Sequence, residues 1–160
     1  MRLANGVLAA MFGLVSADAA HAQQTLASTS VLATATFAPR PTLTVSAHVL
    51  RFRIEPGATE AEATVEFTAA MRARAGDEVV LTIEAAKAIQ GPGGAADVDA
   101  VLTFSGEGTG GQTGALEANR AAVAARWSGG GQRRGRLVFT LRASAPGVYT
   151  VPVNYLLGTT

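Results

Sequence analysis

Histidine is the residue that most often supplies a catalytic base near neutral pH. The chain contains two, His21 and His48. His21 belongs to an N-terminal segment with the features of a cleavable leader, which leaves His48 as the single candidate base for a Ser-His-Asp arrangement. No Gly-x-Ser-x-Gly pattern accompanies it, and the chain has no cysteine. We therefore predict that the protein is not an enzyme and that His48 is a strand or bulge residue.

Two pairs of carboxylates, Glu60 with Glu62 and Asp97 with Asp99, are close in sequence. Acids spaced in this way are more often a solvated face than a general acid and base. Asp97 and Asp99 offer the oxygen ligands that calcium prefers, but the remaining spacing of an EF-hand loop is absent. The pattern favours a polar loop, and we predict no metal site.

The run Gly106–Gly111 (GEGTGG) formally fits the pattern G-x-G-x-x-G and follows a predicted strand. A dinucleotide site also needs an acidic residue about 20 positions later, which holds the ribose, and a parallel strand. No acidic residue occurs after Glu117. We therefore interpret the run as a flexible loop between β-strands and predict no cofactor.

Charge is unevenly distributed along the chain. Residues 55–117 carry eleven acidic and three basic side chains, whereas residues 118–160 carry six arginines and no acid. Arg133, Arg134 and Arg136 flank a glycine-rich turn and form a candidate anion-binding patch for polysaccharide or lipid. The interpretation we favour is that these arginines only solubilise a hairpin, because strands far apart in sequence often lie side by side. The net charge of +1 argues against a nucleic-acid partner.

The N-terminus has the features of a secretory signal peptide. Met1-Arg2 is basic, residues 7–15 (VLAAMFGLV) are apolar, and Ala20-His21-Ala22 is an A-x-A cleavage site. The apolar run is too short to span about 30 Å of hydrocarbon, and no later run approaches that length. We predict cleavage after Ala22 and export to the periplasm, the cell surface or the medium, with no transmembrane segment in the mature chain.

Alternation of apolar residues with a period of two dominates the rest of the chain and predicts half-buried strands. The clearest example is the C-terminal row Tyr149, Val151, Val153, Tyr155 and Leu157, in which Pro152 indicates a sheet edge over part of the length. Similar rows are Val65, Phe67, Ala69 and Met71, then Val79, Leu81, Ile83 and Ala85, and later Leu137, Phe139 and Leu141. The phase changes near His48-Val49, which indicates a bulge or short turn.

Seven to nine such strands, with turn signals between them, predict an all-β antiparallel sandwich over residues 42–160. Residues 115–126 leave helix and strand both open. Their alanines favour helix, whereas Ala121, Val123, Ala125 and Trp127 alternate, and we favour a strand ending in a core Trp.

Residues 23–41 precede this domain. Val31, Ala33, Ala35 and Phe37 alternate with polar and small residues. They predict either a first strand of the same fold or an extension that pairs with another subunit.

Two short motifs carry a resemblance to a known family. Residues 44–52 (TVSAHVLRF) are similar to a first strand of the form V-x-A-x-x-L-x-F, and Ala145-Pro146-Gly147-Val148-Tyr149 leads into a closing strand that reaches Tyr155. In both places the chain resembles the secreted bacterial pilin-like domains of the spore coat U type. The resemblance implies an immunoglobulin-like sandwich and assembly in which an extended segment of one subunit completes the sheet of the next.

The leading functional hypothesis is therefore an exported structural or adhesive subunit whose partners are copies of itself or other surface proteins. The alternative is a periplasmic or extracellular binding module for anionic glycan or lipid that uses Arg133, Arg134 and Arg136. A small hydrolase based on His48 is the weakest of the three.

Overall fold

The computed structural model of the protein describes residues 40–160. The predicted signal peptide (residues 1–22) and the alternating Val31, Ala33, Ala35 and Phe37 lie outside the described residues. Nine strands and no helix are present between residues 40 and 160. The strands are β1 (Thr42–Val45), β2 (Val49–Ile54), β3 (Glu60–Met71), β4 (Glu78–Ala85), β5 (Val101–Glu107), β6 (Thr113–Ala115), β7 (Ala121–Ser128), β8 (Gly131–Arg142) and β9 (Gly147–Thr159).

The strands form two antiparallel sheets. One has five strands in the order β1-β3-β8-β5-β6, and the other has four strands in the order β2-β9-β4-β7. Every pairing between neighbouring named strands is antiparallel. The predicted all-β antiparallel sandwich of seven to nine strands is confirmed.

The core lies between the two sheets, and its residues follow the period of two. In β2, for example, Leu50, Phe52 and Ile54 are buried while the residues between them are exposed. Because successive side chains of a strand point to opposite faces, one face of each strand supplies the core. The largest fully buried side chains come from both sheets and include Tyr149, Phe52, Phe139, Leu81 and Ile83.

The chain passes from one sheet to the other between β1 and β2. The backbone N–H of Ser46 still donates to Glu66 of β3 (2.9 Å), whereas the carbonyl of His48 accepts from Val153 of β9 (2.8 Å). We call residues 46–48 the sheet crossing. It explains the phase change near His48-Val49, because β1 and β2 pack their apolar faces from opposite sheets.

β7 resolves the ambiguous segment in favour of a strand. β6 ends at Ala115, and β7 begins at Ala121. The first half of the predicted row is wrong. The register shifts beside Ala124, so Ala121 and Val123 lie opposite Glu84 and Thr82 on the outer face of the sheet. Trp127 lies opposite the inward-facing Val79, as predicted. A bulge of this kind reverses the side-chain phase, which a strict period of two cannot anticipate.

β9 lies inside its sheet, between β2 and β4. The carbonyl of Pro152 accepts from the N–H of Ala86 (2.9 Å), and Thr150 exchanges two hydrogen bonds with Gln90. The missing N–H of Pro152 therefore faces residues 86–90, where β4 has already ended. For this reason proline is tolerated without a lost ladder bond.

Candidate functional site

The C-terminal part of β9 has a strand on one side only. β2 pairs with β9 from Gly147 to Pro152, and the last contact on this side is the bond from Val153 to His48. β4 pairs with β9 from Val153 to Thr159 on the other side. Among residues 40–160, no strand pairs with the β2 side of β9 beyond Val153. We call residues 155–159 the open edge of β9.

The direction of the backbone groups follows from the ladder. Thr160 donates to Glu78 of the β4 side (3.1 Å), and Pro152 accepts from Ala86 on the same side. Alternate residues of an antiparallel strand point their N–H and C=O groups to opposite sides. The backbone N–H and C=O groups of Tyr155, Leu157 and Thr159 therefore point away from β4. Among the described residues they have no partner, so they can form hydrogen bonds with another strand.

β3 has a similar half-open edge, but its side chains are different. β1 pairs with β3 from Phe67 to Ala70, and Ser46 extends this contact to Glu66. Glu60 and Glu62 are exposed in the part of β3 that β1 leaves unpaired, and Glu66 is exposed where the contact with Ser46 ends. Charged side chains along an edge discourage pairing with other chains. The carboxylates Glu60 and Glu62 thus lie on a solvated face, as predicted.

The open edge of β9 has no such protection. Residues 147–159 include no charged residue. Leu156 lies on the outer face of the sheet and is 69% exposed. An uncharged edge with an exposed apolar side chain is the type of edge that pairs readily with another strand.

The inner side of this edge is apolar. Tyr155 and Leu157 pack against the core, and the ring of His48 lies edge-on to that of Tyr155, with 5.8 Å between the ring centroids. The buried Tyr155 hydroxyl has no hydrogen-bond partner among the described residues, and burial raises the pKa of Tyr155 above its ordinary value. His48 was predicted to be a strand or bulge residue; it lies instead in the bend between β1 and β2 and packs against an aromatic ring.

The three arginines of the candidate anion-binding patch all lie on β8, but they do not share one face. Leu137 of β8 is buried in the core, so the alternation puts Arg134 and Arg136 on the outer face and Arg133 on the inner side. Arg136 lies 3.7 Å from Glu66 and 3.5 Å from Glu107. The guanidinium of Arg136 is therefore already paired with carboxylates.

Arg133 and Arg134 instead line a cleft of about 690 Å³ at one end of the sandwich. Its walls also include Phe67, Glu107, Arg126 and Trp127. The sequence identified Trp127 only as a core residue. The position of Trp127 beside the arginines could not be predicted from the sequence, because it depends on how β7 of one sheet packs against β8 of the other.

The glycine-rich run Gly106–Gly111 forms another wall of the cleft and ties the two sheets together. The backbone N–H of Arg126 in β7 donates to the carbonyl of Gly110 (2.8 Å), and the backbone N–H of Gln112 donates to the carbonyl of Ala124 (2.9 Å). A Cβ on Gly110 would lie 1.8 Å from the carbonyl oxygen of Arg126. Glycine is required there because the backbones approach closely, and the predicted flexible loop is in fact bonded across to β7. A strand, not a helix, follows it, unlike in a dinucleotide site.

Asp97 and Asp99 lie in the loop before β5. The carboxylate of Asp97 accepts from the N–H groups of Asp99 (3.0 Å) and Ala100 (3.2 Å), so it organises its own loop. Within the described range, no group of three or more His, Cys, Asp or Glu residues is close enough to hold a metal ion. A search of the same residues also identifies no helix with the length and apolarity to cross a membrane.

Comparison with known proteins identifies no family. No family model matches the chain, and no curated protein matches it. Among solved structures, a match is found to TmCBM61 in complex with β-1,4-galactotriose, with 9% identity over 75% of this chain and 88% of that chain and a TM-score of 0.23. A TM-score this low carries no argument about fold or function.

Proposed function

We propose that this protein is an exported structural subunit that assembles with other copies of itself by accepting a strand at the open edge of β9. The single observation that supports this proposal is the uncharged edge at residues 155–159, whose backbone groups on the side away from β4 bond to no other described residue. An extended peptide that adds to such an edge gains main-chain hydrogen bonds and side-chain contacts on both faces.

The contrast between the two half-open edges supports β9 over β3 as the acceptor. The unpaired part of the β3 edge carries two exposed glutamates, Glu60 and Glu62, and Glu60 is engaged with Arg142 of β8 (Nε to Oε1, 2.7 Å). An incoming strand at β3 would lie beside these carboxylates. At β9 it would meet Leu156 on the outer face and the apolar side chains of Tyr155 and Leu157 on the inner face.

The proposed donor is the segment with Val31, Ala33, Ala35 and Phe37 of a neighbouring copy. Residues 23–39 carry no Asp, Glu, Lys or Arg, and the four apolar side chains recur with a period of two. An alternating, uncharged donor complements an uncharged acceptor edge, because one face of the added strand can then extend the core.

The test uses the chain from Gln23 to Thr160 and sedimentation velocity over a wide concentration range. We expect concentration-dependent oligomers that are lost in Leu156→Lys, which places a charge beside the open edge. The matched control is Val148→Lys, since Val148 is 52% exposed on the same face of β9 but lies where β2 already pairs. Both side chains are exposed, so neither variant disturbs the core.

A second variant tests the donor. Ala33→Pro together with Ala35→Pro removes two N–H groups from the segment, and we expect the same loss of oligomers. A wild-type chain that remains monomeric at all concentrations would contradict the proposal. Oligomers that persist in Leu156→Lys would show that another surface makes the contact.

A further inference from the structure

A second candidate binding surface is a cleft that shares no residue with the open edge. The cleft between β7, β8 and the Gly106–Gly111 run is lined by residues of both sheets and includes none from β9. Its volume of about 690 Å³ is within the usual range for small-ligand sites. The open edge and the cleft can therefore be tested independently.

Two cations at the cleft have no carboxylate partner among residues 40–160. Arg126 is paired with Glu78 at 3.2 Å, and Glu107 is paired with Arg136. Arg133 and Arg134 form no ion pair within residues 40–160, and Nη1 of Arg133 donates only to the neighbouring Gln132 carbonyl. Two guanidinium groups without a carboxylate partner in the described part of the chain thus border one cleft.

The other walls of the cleft determine which anion fits. Trp127 and Phe67 supply aromatic surface, and Gly135 lets the Phe67 ring lie across β8, since a Cβ there would come within 2.5 Å of the ring. Glu78 and Glu107 also border the cleft. Their carboxylates repel a phosphate dianion but accept hydrogen bonds from hydroxyl groups.

We infer that the cleft binds an acidic saccharide through a hexuronate unit. The planar guanidinium of Arg133 or Arg134 matches a carboxylate in a bidentate geometry. The hydroxyl groups of the sugar donate to Glu107 and Glu78, and the C–H face of its ring packs on Trp127. Arg136, which carries its own carboxylate partners, does not belong to this site.

The test is calorimetric titration of the purified protein with tetragalacturonate, with the same tetrasaccharide after reduction of its carboxylates to alcohols, and with inorganic phosphate. We expect binding of the acidic saccharide, and affinities lower by about tenfold or more for the reduced saccharide, because charge-assisted hydrogen bonds are lost. Phosphate should bind no better than the reduced saccharide.

The variant Arg133→Ser with Arg134→Ser should lower affinity for tetragalacturonate by about tenfold or more. The matched control is Arg51→Ser with Arg53→Ser, which removes two exposed arginines from the outer face of β2 and should leave the affinity unchanged. Equal losses in the two variants would reduce the effect to general charge attraction and overturn the inference. So would the absence of binding at millimolar saccharide, or equal affinity for phosphate.

Discussion

The substitution Gly110→Ala tests the role of the glycine-rich run in joining the two sheets. Gly110 has a φ of +83°, and an added Cβ would lie 1.8 Å from the carbonyl oxygen of Arg126. The left-handed backbone alone costs about 1–2 kcal/mol for a residue with a side chain. The clash cannot be relieved by a rotamer change, because both groups belong to the backbone framework.

The expected loss can be estimated from the bonds at this contact. If the added Cβ pushes the glycine-rich run away from β7, the backbone hydrogen bond from Arg126 to Gly110 breaks. The backbone hydrogen bond from Gln112 to Ala124 is weakened as well. Each contributes about 1 kcal/mol, so the free energy of unfolding should fall by about 3–4 kcal/mol in total. This is a large part of the 5–15 kcal/mol that is typical of a domain.

Gly108→Ala is the matched control in the same run. Its φ of +101° carries a similar backbone cost, but an added Cβ meets no atom within 4 Å. We expect a loss of only about 1–2 kcal/mol. Urea unfolding followed by fluorescence measures both, and the signal reports on this region because Trp127 is the sole tryptophan of the chain. Equal losses in the two variants would refute the close-approach explanation.

Further predictions concern the core and the open edge. Gly135→Ala should lower the free energy of unfolding by about 1–3 kcal/mol in urea unfolding, because its Cβ would overlap the Phe67 ring, and Phe67→Leu should reduce that loss in the double variant. Tyr155→Phe should raise the free energy of unfolding by about 1 kcal/mol, since it removes a buried hydroxyl that has no hydrogen-bond partner among residues 40–160; a loss of stability would show that the hydroxyl is satisfied. Burial raises the pKa of Tyr155 above 10, so the unfolded chain releases this proton first. The free energy of unfolding should therefore decline as the pH rises above 10, and unfolding curves of Tyr155→Phe should show a smaller decline over that range.

Much of the fold could be predicted from alternation, because burial on one face imposes a period of two on each strand. The rows in β3, β4, β8 and β9 all have this pattern and are strands. The bulge at Ala124 was not predictable in this way, since it depends on the register between β4 and β7. The same limit applies to Pro152, which indicated an edge but lies opposite the point where β4 ends.

The functional surfaces were harder to predict because they arise from the arrangement of the sheets. Alternation within β8 could have separated Arg133 from Arg134 and Arg136, since Leu137 sets the inward phase. The pairing of Arg136 with Glu66 and Glu107 depends on the order of β3, β8 and β5. The open edge depends on where β2 begins, which no local pattern in β9 reveals.

The sheet crossing at residues 46–48 has a consequence for the size of any added strand. The bond from Val153 to the His48 carbonyl closes the edge of β9 at one end, and the strand ends at Thr159. The proposed acceptor site would therefore hold about five residues, a length of roughly 17 Å. Moving the crossing by two residues along the chain would shorten or lengthen this site by the same number. The position of a three-residue connection thus sets both the length and the register of what the domain can bind.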